Sequence, residues 1–316
     1  MKRHVKKSSF LVLFVLAAVL VFAHSSSQNE LATITFPTEP PLAGEPVLAS
    51  IHLIDEAGNP VTSLDVMHER KLHVIFIGQD LRTASHIHPE DFQAGFSESS
   101  NGTYIVLHTF PKAGFYAALL DYTVNGTAHS ATIPFSVVGN ESLPNITYDF
   151  SRTKQFGNHT IELRGAEAVK TGANDFTLYI SKDMPVTDLQ MYLGSEAHIA
   201  AIREDLQFGG HTHAYMPGGM SHLNMVGMQH YYGPEIPFEY TFSEPGAYAL
   251  IGQFRHNNTV VTTNFLVNVT GEQFDTDEHS HTQETAEKSG FPFSVGWVFI
   301  AAGVVMLVLA FKKMRK

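Results

Sequence analysis

The 316-residue chain contains no cysteine and one tryptophan. Without thiols it has no disulfide framework, no thiolate nucleophile, and no means of forming the copper–thiolate bond of a blue-copper electron-transfer site. Basic residues are also scarce. Of the 20 Lys and Arg, four lie in the first seven residues and four in the last five, so the region between sets twelve against 31 Asp and Glu. An acidic body of this kind repels nucleic acid and anionic lipid and favours cations. Amphipathic helices are missing, and so are a phosphate-cradling glycine loop, an HExxH pattern and a Ser-His-Asp order. The sequence therefore gives no sign of an enzyme.

Long apolar runs occur only at the two ends. After the basic MKRHVKK, the uncharged stretch SSFLVLFVLAAVLVFA, about sixteen residues, is too short to span a bilayer. With Val21 and Ala23 before a polar turn it reads as a signal peptide, residues 1–23, cleaved after Ala23. Residues 293–311 (FSVGWVFIAAGVVMLVLAF) are long enough to cross a membrane, and the basic tail 312–316 is expected to stay cytoplasmic. This predicts a single-pass cell-membrane protein whose body lies outside the cytoplasm. Seven Asn-x-Ser/Thr sequons, at Asn101, Asn125, Asn140, Asn145, Asn158, Asn257 and Asn268, fall in that outer body and mark it as a candidate glycoprotein.

The body contains an internal repeat. Residues 61–89 match 186–214 at an offset of 125, so that Val61, Thr62, Leu64, His73, Asp80, Leu81, His86 and His88 recur as Val186, Thr187, Leu189, His198, Asp205, Leu206, His211 and His213. FPKAGFYAALLDY (110–122) then matches FSEPGAYALIGQF (242–254) at an offset of 132, which leaves seven extra residues in the second copy. Each copy is built of short apolar or alternating runs broken by Gly, Pro, Asn and Asp turns. The expected fold is all-β: two tandem antiparallel β-sandwiches of immunoglobulin or cupredoxin-like type over 29–139 and 145–271. A polar stalk, 272–290, leads to the C-terminal transmembrane helix.

The histidines carry the chemistry. If GQDL closes a tight hairpin, His73 and His86 oppose one another across neighbouring strands, and His88 lies on the same face. His198, His211 and His213 repeat the set. Three converging imidazoles suit a divalent copper or zinc ion, whereas a structural polar network inherited twice is the plain alternative. The extra residues fall in a loop, 211–230, that adds His222, His230, Met216, Met220, Met225 and Met228. Thioethers with imidazoles suit Cu(I) and accommodate Cu(II), which favours copper over zinc; core packing is the ordinary alternative for methionine.

The strand, D-L turn and His-x-His-Pro of HVIFIGQDLRTASHIHPEDF, with the later F-P-x-x-G-x-Y of FPKAGFYAALLDY, resemble exported cupredoxin-like or immunoglobulin-like domains of bacteria and archaea associated with heavy-metal and copper handling. The second copy departs from that pattern at Ala214, where the first has Pro89, and in FSEPG. The resemblance implies a membrane-anchored copper-binding protein serving a copper transporter or a copper enzyme. Two other expectations stand beside it: a surface interaction or adhesion module with structural histidines, and a zinc or nickel scavenger.

Overall fold

The computed structural model describes residues 31–92, 101–214 and 232–271, and over these every regular element but one short 3-10 turn is a β-strand. The first half holds β1 (Leu31–Thr35), β2 (Pro46–Ile54), β3 (Leu72–Gly78), β4 (Ala84–Ile87), β5 (Thr103–Thr109), β6 (Gly114–Val124) and β7 (Thr127–Val137). The second holds β8 (Thr153–Phe156), β9 (His159–Arg164), β10 (Gly172–Ser181), β11 (Ala197–Arg203), β12 (Gly209–His213), β13 (Glu235–Phe242), β14 (Gly246–His256), β15 (Thr259–Thr262) and β16 (Phe265–Val269). The segments expected to be signal peptide, Met/His loop, stalk, membrane helix and tail lie outside the described residues, apart from the loop's first residues 211–214. Among the described residues no helix is long and apolar enough to cross a membrane.

Each half is an antiparallel sandwich. Sheet β1-β2-β5 faces sheet β4-β3-β6-β7, and sheet β13-β10-β9-β8 faces β12-β11-β14-β15, with β16 also paired to β14. The first core gathers Ile51, Leu53, Val74, Phe76, Tyr104, Phe110 and Tyr116, and the second Ile161, Phe176, Leu178, Ile199, Phe238, Tyr248 and Phe254. The repeated F-x-x-x-G-x-Y motif has a local explanation. Gly114 and Gly246 sit at φ +149° and +139°, conformations costly for a side chain, and turn the chain into β6 and β14. Two residues on, the Tyr116 and Tyr248 hydroxyls donate to the Lys112 and Glu244 carbonyls at 2.8 and 3.0 Å, tying each strand to the corner that precedes it.

A third apolar cluster joins the two sandwiches. It packs Ile75, Ile77, Leu81, Ala117 and Leu119 against Ala200, Ile202, Leu206, Ala249, Ile251 and Leu266. Every residue of β3 is therefore buried. Its even-numbered residues enter their own sandwich core, while His73, Ile75 and Ile77 face the other domain. In β11 the same division sends His198, Ala200 and Ile202 to the shared face. Leu81 and Leu206, the residues of the repeated D-L turn, take φ +56° and +61° and enter this cluster. The Asp80 carboxylate steadies the first turn by accepting from the Arg82 and Thr83 amides at 3.1 and 2.9 Å. Each large aliphatic buried here contributes about 1.5–3 kcal/mol, and the Asn264 side chain adds a hydrogen bond to the Leu81 carbonyl across the interface.

Candidate functional site

The strand register corrects one expectation. Val74 pairs with Ile87 and Ile75 with His86, so the β3–β4 connection is the four-residue loop 79–82 and not a two-residue turn. Asp80 capping and the left-handed Leu81 favour the longer loop. His73 consequently lies level with His88, and in the second domain His198 pairs directly with His213. A slip of two residues leaves faces unchanged, so all three rings of each trio still share one face.

That face is the interface between the sandwiches, and the two trios meet there. His73 Nδ1, His86 Nε2 and His88 Nε2 form a triangle with edges of 3.0, 3.1 and 3.2 Å. Three nitrogens held by one tetrahedral ion at about 2.0 Å lie about 3.3 Å apart. On the opposite side His198 Nδ1 and His211 Nε2 stand 3.2 Å apart. The rings of His73 and His211 approach to 5.1 Å, as do those of His86 and His211. Two sets of mutually close ligand atoms result, one from His73, His86 and His88 and the other from His73, His198, His211 and His213. His73, His88 and His198 are 2 % exposed or less.

The outward nitrogens determine the tautomers, which are assigned here from their partners. His73 Nε2 meets the Met67 carbonyl at 3.3 Å and His198 Nε2 the Tyr192 carbonyl at 3.0 Å; a carbonyl only accepts, so these nitrogens carry the protons. Met67 and Tyr192 are themselves repeat equivalents. His88 Nδ1 donates to Asp91 at 2.8 Å, and His211 Nδ1 donates to Asp121, on β6 of the other domain, at 3.1 Å. Four rings thus turn lone pairs inward. His198 Nδ1 and His211 Nε2 face one another with no proton between them, and His213 Nε2 is buried without a hydrogen-bond partner.

Burial and neighbouring imidazoles disfavour the charged forms. Burial first, then His211 and His88, hold His73 down to about 2; burial holds His198 and His211 at about 3, and pushes His86, His88 and His213 down as well. Burial raises Asp121 to about 6, against the pull of His73 and His68. At neutral pH the cluster is a set of uncharged bases backed by two carboxylates. Rings oriented by carbonyl and carboxylate acceptors are what a metal-ligating histidine requires.

Several contributors are invisible to the repeat. His68 stacks on His213 with ring centroids 3.6 Å apart, carried by a two-residue hairpin turn in which His68 and Glu69 take φ +48° and +65°. The equivalent turn holds Leu193 and Gly194 at +49° and +72°, so the ring itself has no counterpart. Asp121 aligns with Gln253, and Asp91 is placed by the 3-10 turn Pro89–Asp91, which begins at the proline that Ala214 replaces. The HIHPED segment carried that signal. A cleft of about 610 Å³, lined in part by Asp121, Thr132, Gly209, His211 and Tyr240, opens beside the Asp121–His211 pair. Met216, Met220, His222, Met225, Met228 and His230 lie outside the described residues. All seven sequon asparagines are exposed.

Among solved structures the chain is similar to FdeC, an Escherichia coli adhesin (16% identity, 76% of this chain and 64% of that one, TM-score 0.23). It is also similar to the Yersinia pseudotuberculosis adhesin InvE (12%, 78% and 62%, TM-score 0.23) and to the fibronectin(III)-like modules of Clostridium thermocellum CbhA (13%, 80% and 100%, TM-score 0.21). The chain spans less than two thirds of the two adhesin structures, and at these scores none of the likenesses bears on function. No curated protein matches it. A family's sequence pattern does match, once over residues 22–139 and again over 154–271, and by that double match the chain belongs to the family described as a domain of unknown function, DUF8832.

Proposed function

We propose that this is an exported, membrane-anchored metal-binding protein whose interdomain histidine cluster holds copper as Cu(I) or Cu(II), with zinc as the second candidate. One observation carries the proposal: His198 Nδ1 and His211 Nε2 point lone pairs at each other across 3.2 Å while their other nitrogens are taken by oxygen acceptors. Two buried acceptors facing without a proton repel, and a cation between or beside them relieves this. Imidazole donors suit copper and zinc alike, and the preference for copper rests on the four methionines of the adjoining loop. The role that fits is binding and transfer, as a buffer or chaperone for a copper transporter or copper enzyme in the same membrane, without catalysis by this chain.

Titration of the purified full chain with Cu(I), Cu(II) and Zn(II) tests this. Submicromolar binding that disappears when His73, His86, His88, His198, His211 and His213 are replaced supports it. Binding weaker than micromolar, or unchanged in that variant, overturns it and leaves the interaction-module reading, in which stability is the same with and without metal.

A further inference from the structure

Resting on the metal-binding reading, we infer that the cluster is a dinuclear centre: two ions, one seated by each histidine trio, with a single water-sized oxygen ligand between them. A lone ion in the first triangle is ligated by His73, His86 and His88 and has room for about one further nitrogen in four-coordinate geometry. At least two of the inward nitrogens of His198, His211 and His213 then stay unmet, among them either His213 Nε2 or both members of the opposed pair. A second ion on that trio satisfies them.

Each trio also has its own carboxylate. Asp91 backs His88 and Asp121 backs His211, so one negative charge stands behind each proposed ion. Between His86 of the first trio and His198 and His211 of the second lies a small, partly open recess of about 10 Å³, bordered also by Ile75, Ala200, Ile251 and Gln253. That is the space of one water molecule. Gln253 Oε1, buried and without a hydrogen-bond partner, borders the recess as an acceptor for a water or hydroxide. Rings from both domains therefore border a position where a small bridging ligand has a partner, and ions sharing such a ligand lie about 3.5–4 Å apart.

The test loads the full chain with Cu(II), removes excess ion, and compares copper per chain with the electron paramagnetic resonance spin count. To keep the loop from contributing, the same measurement is made on a variant with Met216, Met220, Met225 and Met228 replaced by Leu and His222 and His230 by Ala. Two coppers per chain, with a spin count well below two or a half-field signal, are expected in both. Removing one trio through His86→Ala and His88→Ala then leaves one copper with a full, uncoupled spin. One copper per loop-free chain, or two with full uncoupled spins, overturns the dinuclear centre while metal binding stands. No copper at all overturns the underlying reading as well.

Discussion

At the scale of single residues, Asp121 separates a metal site from an inherited polar network. It belongs to the first domain and the one described hydrogen bond of its carboxylate is to His211 of the second, in a position where burial lifts its carboxyl to about 6. As a structural element it is therefore an expensive choice. Under the proposed metal reading, an acceptor that holds His211 Nε2 toward an ion is worth about 10–100-fold in affinity, the usual effect of removing such a partner. Asp121→Ala should accordingly lower copper or zinc affinity by about that factor while the melting temperature of the metal-free protein stays the same or rises. Asp121→Asn, which keeps an oxygen acceptor without the charge, should fall between. Chelator-competition titrations beside thermal melts read both quantities, and unchanged affinity in the alanine variant would count against the site.

At the scale of elements, β12 is held tightly against its neighbours at Gly209. A Cβ on Gly209 would lie 2.7 Å from the Ala201 carbonyl oxygen and 2.9 Å from Leu119 of the other domain, and the Gly209 carbonyl accepts from Thr132 across the interface. Gly209→Val should cost about 1–3 kcal/mol as overpacking and should also weaken metal binding, because β12 carries His211 and His213. Gly271→Ala, with nothing nearby to meet, should change neither. Denaturant unfolding with and without metal measures the pair; a Gly209→Val protein of ordinary stability and affinity would mean that the interface is looser than this packing requires.

Much of this was legible in the repeat. Histidines recurring at fixed offsets marked six rings that the fold brings together, and period-two spacing placed each trio on one face. The register was misjudged because a turn's length depends on its capping, here by Asp80 and the left-handed Leu81, and not on the symmetry of the flanking histidines. The joining of the trios was harder to see. Its trace was LHVIFIG and AHIAAIR, unbroken runs where a strand with one wet face would alternate, and such runs show that both faces are covered without saying by what. His68 and Asp121 have no repeat partners of their own kind, so a search by recurrence passes over them.

At the scale of the whole molecule, the buried histidines make stability depend on acidity in one direction. In the unfolded chain they titrate near 6.5, whereas in the fold His73 is held at about 2, His198 and His211 at about 3, and the half-buried His108, away from the cluster, at about 4. Above pH 6.5 neither state is protonated and these groups contribute no pH dependence. As pH falls through 6.5 the unfolded chain takes up protons that the folded chain refuses, so stability drops, by up to about 1.4 kcal/mol per pH unit for each such residue. Glu196 acts oppositely, since burial raises it to about 7 and its cost eases with acid, but it is one group against several. The metal-free full chain should therefore unfold on acidification from pH 6.5 toward 4, and flat stability across that window would contradict the buried neutral cluster. Metal affinity should behave differently. Exposed histidines lose about tenfold in affinity each at pH 5.5, because protons compete for free ligands. Rings already held neutral by the fold offer protons no such competition, so Cu(II) or Zn(II) binding to folded chain lacking the loop ligands should fall only about fourfold between pH 7 and 5.5, the share set by protonation of Asp121 with its carboxyl at about 6. A steep fall over that range, measured while circular dichroism shows the chain still folded, would place the bound metal on exposed residues and not between the two domains.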